Sequence, residues 1–72
     1  MAHYAVKIIR RIRPGETWGW VVETIEFDAP DDTAAQQQAL GLIEGIDWEQ
    51  DFAALEGHPG DFRTFWGRNP HA

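Results

Sequence analysis

The sequence predicts an α+β fold: a small antiparallel three-stranded sheet (β-hairpin, helix, short helix, final strand) with the helices packed on one face. Three observations predict it. Two apolar, β-branched segments flank a Pro-Gly dipeptide between residues 4 and 27. Helical spacing begins just after Asp31-Asp32-Thr33, and a short aromatic segment, Phe62 to Trp66, follows a second Pro-Gly.

Tyr4 to Ile12 alternates as a strand does, with Tyr4, Val6, Ile8 and Ile12 on one face. Lys7, Arg11 and Arg13 point the other way beside Ala5 and Ile9, and Arg10 falls on the apolar side. Trp18 to Phe27 is the second strand, rich in aromatic and β-branched residues. Pro14 presets φ and Gly15 tolerates the positive φ that a tight turn needs. A loop of Pro14, Gly15 and Glu16 sets Arg10 opposite Trp20 and Lys7 opposite Glu23. It gathers Tyr4, Val6, Ile8, Trp18, Trp20 and Val22 on one face; a two-residue loop slips the pairing by one.

Pro30 closes the second strand, and Thr33 with Gln36 has the spacing of a capping box. Asp31 and Asp32 sit where the positive end of a helix favours negative charge. Ala35, Ala39, Leu42 or Ile43, and Ile46 recur at helical spacing with Leu40 beside them, although Gly41 and Gly45 weaken this helix. Asp47 is placed to cap a shorter helix with Trp48, Phe52 and Leu55 at i, i+4 and i+7, stopped by Gly57; whether residues 48–55 form a helix or a strand stays open. His58-Pro59-Gly60-Asp61 reads as a turn, Phe62 to Trp66 as the third strand, and Gly67 onward as a fraying tail. In that strand Phe62, Thr64 and Trp66 fall on one side and Arg63 and Phe65 on the other. The predicted core is Tyr4, Val6, Ile8, Trp20, Val22, Leu40, Ile43, Phe52, Leu55 and Phe65.

Residues 1–72 are read as one small α+β domain. A chain this short buries only about 60% of its unfolded surface, so its four Trp and four Phe must supply much of the core, or complete it in a homo-oligomer. No cysteine is present, which excludes disulfides and Cys-based zinc sites. The first residues show no signal-like pattern and no apolar stretch nears ~20 residues, so the expectation is cytoplasmic, with no membrane partner.

The chemistry is narrowed by what is missing. There is neither serine nor cysteine, and Thr17, Thr24, Thr33 and Thr64 sit in no activating motif. RPGETWG lacks the spacing of a phosphate loop. His3, His58 and His71 have no metal-ligand spacing, so no metal and no cofactor are expected. Asp31-Asp32 and Asp47-Trp48-Glu49-Gln50-Asp51 read as helix starts rather than paired catalytic carboxylates, and the expectation is not an enzyme.

Charge placement is the informative feature. All twelve Asp and Glu fall between Pro14 and Phe62, a span with no Lys or Arg, and the net charge is −6. Lys7 is expected to balance Glu23 across the hairpin, and Arg13 to lie beside Glu16. Glu44, Asp47, Glu49, Asp51 and Glu56 then form an acidic surplus without local counter-charge. These five are the candidate partner-binding residues, facing the basic surface of a partner, in the sharper version a nucleic-acid-binding protein whose groove they occupy. In size and charge, though in no motif, the chain resembles the small inhibitors and accessory proteins of phages and mobile elements, including anti-CRISPR proteins.

Two alternatives stand beside this reading. One is an RNA- or single-strand-binding sheet using Arg10, Arg11, Trp18 and Arg63, disfavoured by the acidic net charge. The other is a small oligomeric ligand-binding protein with a site between chains.

Overall fold

The computed structural model describes residues 1–58 and 60–71. It contains β1 (Ala2–Arg11), β2 (Gly19–Ala29), α1 (Asp32–Leu42), β3 (Asp51–Glu56) and β4 (Phe62–Trp66). The strands form one antiparallel sheet in the order β2-β1-β3-β4. α1 crosses back over β1 and β2, so one face of the sheet carries a helix. The class is α+β, as the sequence predicts. The detail is corrected: among the described residues there are four strands and one helix, not three strands and two helices.

The second helix is the element that changes. Asp47 does act as a cap, its carboxylate accepting from the Glu49 N–H at 3.1 Å and its carbonyl from the Asp51 N–H at 2.8 Å. The coil stops after that one turn. Residues 51–55 are then buried on both faces of a strand between β1 and β4, with Ala53 and Leu55 under the helix and Phe52 and Ala54 opposite. A strand covered on both sides reads as a continuous apolar run, which helical spacing also accommodates.

The helix-side core joins Tyr4, Val6 and Ile8 of β1, Ala29 of β2, Ala35 and Ala39 of α1, Ile43, Ala53 and Leu55 of β3, and Trp66 of β4. Ile43, Leu55 and Val6 are the largest fully buried side chains, each worth about 1.5–3 kcal/mol against exposure. Alanine on both α1 and β3 leaves the helix room to seat against the sheet. A second, smaller cluster of Ile9, Phe52 and Ala54 lies on the other face, and Trp48 packs against both.

α1 begins at a different cap from the one its sequence suggests. Asp31, in extended backbone, accepts from the Ala34 N–H at 2.8 Å, so the Thr33–Gln36 box is not the start. Aspartate is the stronger cap, and Asp32 is engaged elsewhere: it accepts from the Tyr4 hydroxyl at 2.7 Å and faces Arg63 at 3.5 Å. That chain of contacts ties β1, the start of α1 and β4 together. The Asp32 hydrogen bond, then burial, raises the Tyr4 pKa above its usual 10.0.

The hairpin turn is as expected: the Glu16 N–H donates to the Arg13 carbonyl at 3.2 Å and Gly15 takes φ 84°. Arg10 pairs with Trp20, but Lys7 pairs with Thr24 and not Glu23. Val22 is an extra residue, a bulge that shifts the register between Ile8 and Ile9. Trp20 and Val22, at the tip end of β2, are exposed and not core, whereas Ile25, Phe27 and Ala29 further along the same strand pack on the helix side. Phe65 is exposed as well. A second bulge, opposite the Leu55–Glu56 step, brings Phe62 round to Phe65 with ring centroids 5.1 Å apart, where the sequence sets them on opposite faces. Leu40 is only partly buried. Of the predicted turn at 58–61 and the predicted tail, Pro59 and Ala72 lie outside the described residues.

Gly19 marks a close crossing, since a Cβ there would lie 1.7 Å from the Arg10 carbonyl oxygen. Gly41 has open space around that position. Gly19→Ala is expected to destabilise by about 3 kcal/mol and Gly41→Ala to stabilise by up to about 1 kcal/mol, read from urea unfolding midpoints.

Candidate functional site

The topology sorts the loops to two ends. β2 returns to the start of β1, α1 runs back, and β3 starts beside Arg10. The hairpin tip (residues 12–18), the loop at residues 43–50 and the exit of β4 at Gly67 therefore gather at one end.

Arg11 holds this end together. Its side chain, on the face opposite α1, is 9% exposed and lies over the Phe52 ring, 5.1 Å from the centroid. The guanidinium donates to four carbonyls: Glu16 in the hairpin tip, Trp48 at 3.3 Å, Asp51 at 3.4 Å, and Gly67 beyond β4. No carboxylate lies within salt-bridge distance of it among the described residues. Two adjoining open clefts flank Arg11 and Pro14. One, of about 350 Å³, also meets Asp47, Glu49 and Gln50; the other, of about 500 Å³, meets Thr17, Trp48, Glu49, Gly67 and Arg68.

The five predicted partner-binding carboxylates separate into two groups. Asp51 is buried and pairs with Arg10 at 3.1 Å, its cross-strand neighbour. Glu56 is half-buried, lies 3.8 Å from Lys7 and accepts from the Gly60 N–H at 2.9 Å. Both are strand residues, so the β1–β3 ladder delivers them to the cations of β1. Glu44, Asp47 and Glu49 lie in the loop, are exposed, and have no Lys or Arg within 4.0 Å among the described residues.

The alternative nucleic-acid residues are dispersed in their use. Arg10 is held by Asp51, Arg11 by carbonyls, and Arg63 by Asp61 at 3.1 Å and Asp32 at 3.5 Å. Trp18 alone of the four is open, at 70% exposed. The Arg13–Glu16 pair expected in the turn is present at 3.9 Å. Lys7 meets Glu56 and Thr24 instead of Glu23.

Beyond Trp18, sequence reasoning missed how exposed the apolar residues around the hairpin tip are. Ile12, Trp18, Trp20, Val21 and Val22 are all exposed around the tip and the adjoining part of β2. The run Trp-Gly-Trp-Val-Val, which does not alternate with polar residues, was the available signal. Trp is over-represented among residues that anchor protein interfaces, and carboxylates on the rim set charge preference. Among the described residues, no cluster of His, Asp and Glu is arranged to hold a metal, and no helix is long and apolar enough to cross a membrane. Fold and site thus describe a small α+β protein with an acidic, tryptophan-bearing end. The chain matches no protein-family model, no curated protein and no solved structure.

At the opposite end, His3 stands between Glu26 and Asp28, with Nε2 2.8 Å and Nδ1 3.0 Å from their oxygens. Both contacts become hydrogen bonds only when both ring nitrogens carry protons, so the hydrogen bond to Glu26, then that to Asp28, raises the His3 pKa above 6.5. The stabilisation is present in full below the unfolded-state pKa and is lost as pH rises through the folded-state value. An NMR titration is expected to place the His3 midpoint above 6.5, with Glu26→Gln lowering it more than Asp28→Asn. Arg11→Met keeps the packing on Phe52 but strands four carbonyls; a loss of about 3 kcal/mol or more is expected in the unfolding midpoint, with Arg11→Lys recovering only part of it.

Proposed function

We propose that this chain is a non-enzymatic protein-binding module, and in its sharper form an acidic inhibitor that occupies the basic surface of a nucleic-acid-binding protein or complex, as phage and anti-CRISPR-like accessory proteins do. The observation that carries this reading is the sorting of charge. Lys7, Arg10 and Arg63 are paired within the chain, Arg13 pairs with Glu16 and Arg11 is buried, whereas Glu44, Asp47 and Glu49 stand unpaired among the described residues at one end. Arg68 is the one exposed Lys or Arg at that end without a carboxylate partner among the described residues. Trp18 and Trp20, 70% and 54% exposed, give that end apolar anchors. Steering brings the carboxylates to a basic partner, and desolvation of the indoles supplies affinity.

The RNA- or single-strand-binding reading keeps the support of the exposed Trp18 ring, but its three arginines are engaged inside the chain. Electrostatic attraction to phosphates is left to Arg13, loosely paired with Glu16 at 3.9 Å, and to the exposed Arg68.

The variant Glu44→Lys/Asp47→Lys/Glu49→Lys leaves the Arg10–Asp51 pair intact and is expected to fold, with a melting temperature lowered only modestly by loss of the Asp47 cap on the Glu49 N–H. Affinity capture from the native host, with captured proteins identified, is expected to yield a basic nucleic-acid-binding protein with the wild type at low salt. That capture is expected to disappear with the variant and at high salt. Equal capture by both forms contradicts the proposal. Steeply salt-dependent quenching of tryptophan fluorescence by an oligonucleotide would favour the second reading instead.

A further inference from the structure

The outer strand β2 carries a pattern that the acidic-end reading does not use. It pairs only with β1, so along Gly19–Ala29 its far edge has no strand beside it. Its side chains form two rows, fixed by the residues opposite them in β1. On the helix side are Trp20, Glu23, Ile25 and Phe27, opposite Arg10, Ile8, Val6 and Tyr4. On the open face are Val21, Thr24, Glu26 and Asp28, opposite Ile9, Lys7, Ala5 and His3. One row is largely apolar and the other ends in two exposed carboxylates. β2 itself holds no Lys or Arg.

Exposed strand edges recruit other strands through unpaired backbone N–H and C=O groups, and proteins usually blunt them with lysine or proline. β2 has neither. Its acidic residues instead discriminate between occupants. A second copy pairing antiparallel through the same strand, which holds no Lys or Arg, offers Glu26 and Asp28 no cation in any register, and centred on residue 26 it sets Glu26 against itself, a destabilising like-charge contact. A register centred on Ile25 sets Glu23 against Phe27 and Glu26 against Thr24, which removes that contact but still leaves both carboxylates without a cation. An extended segment alternating basic and apolar residues meets both rows. Its cations lie opposite Glu26 and Asp28, whose side chains are 67% and 63% exposed and keep acceptor positions free beside His3. Its apolar residues extend the layer of Phe27, Ile25 and Trp20.

We propose that β2 is a docking edge for an extended basic–apolar segment of a partner protein, added to the sheet as a fifth strand. Main-chain hydrogen bonds give the affinity and the two rows select the sequence. This deepens the reading of the chain as a protein-binding module, since it names the form that one partner segment takes.

The probe is a ten-residue peptide of alternating lysine and valine, titrated into the ¹⁵N-labelled protein. Saturable binding is expected, with amide shifts at residues 20–28 and a change in tryptophan fluorescence. The variant Glu26→Gln/Asp28→Asn, altered only at exposed positions, is expected to weaken it about tenfold. The same peptide N-methylated at alternate residues is expected not to bind, and a glutamate–valine peptide likewise. Equal binding by the N-methylated peptide, shifts confined to residues 44–49, or no binding at all overturns the proposal. So does concentration-dependent broadening of the β2 amides without peptide, which would identify a second copy as the occupant. The triple-lysine variant of the acidic loop leaves β2 unaltered and is expected to bind the peptide as the wild type does. Failure of the acidic-end reading is thereby distinguished from failure of this one.

Discussion

The Arg11 guanidinium is the interaction on which the tip end of the molecule depends. It is almost fully buried, and it is neutralised by carbonyl dipoles from four separate segments rather than by a carboxylate. Only a planar fork with five N–H donors reaches so many acceptors from one stem. The hairpin tip is exposed throughout, and Arg11 gives it, the loop before β3 and the exit of β4 a common partner. Its charge is also satisfied without drawing in Asp47 or Glu49, so those carboxylates stay on the surface beside it. The electrostatic character of the end follows from how one buried cation is solvated.

Charge sorting elsewhere is a matter of secondary structure. Asp51 and Glu56 bracket a strand, and the β1–β3 register sets Asp51 against Arg10 and Glu56 near Lys7. Glu44, Asp47 and Glu49 precede that strand and have no ladder to bring them a cation. Five acids clustered in thirteen residues thus divide into an internal pair and an external trio at the point where β3 begins.

Much of this architecture is legible in the sequence where a local rule decides it. β4 begins and ends where its aromatic residues predict, the Pro14-Gly15 turn forms, and the Asp31-Asp32 pair marks the start of α1. Elements decided by tertiary position are not legible. Whether Phe52 to Leu55 coils or extends depends on being covered from both sides, which no window of sequence reports. A one-residue bulge at Val22 changes every pairing beyond it, so Lys7 finds Thr24 while Arg10 still finds Trp20. Trp20 and Phe65 have strand-like, apolar surroundings in sequence, yet both are exposed, Phe65 because it falls beside Ala54 on the sheet face opposite α1, while its neighbour Trp66 enters the core. The candidate site was legible in part: Glu44, Asp47 and Glu49 could be read as unpaired charge, whereas the pairing of Asp51 and Glu56 and the exposure of Trp20, Val21 and Val22 depend on register and strand position.

The strand order also sets how the chain must assemble. Each hairpin closes over a short span, but the seam that joins them, β1 against β3, pairs residues as distant as Ala5 and Glu56. Closing so large a loop costs entropy before any contact rewards it, which slows folding relative to a fold of the same size built from neighbouring segments. The middle of the sheet is thus the seam with the largest closure cost, and it is the pairing that brings the apolar residues of β1 and β3 side by side.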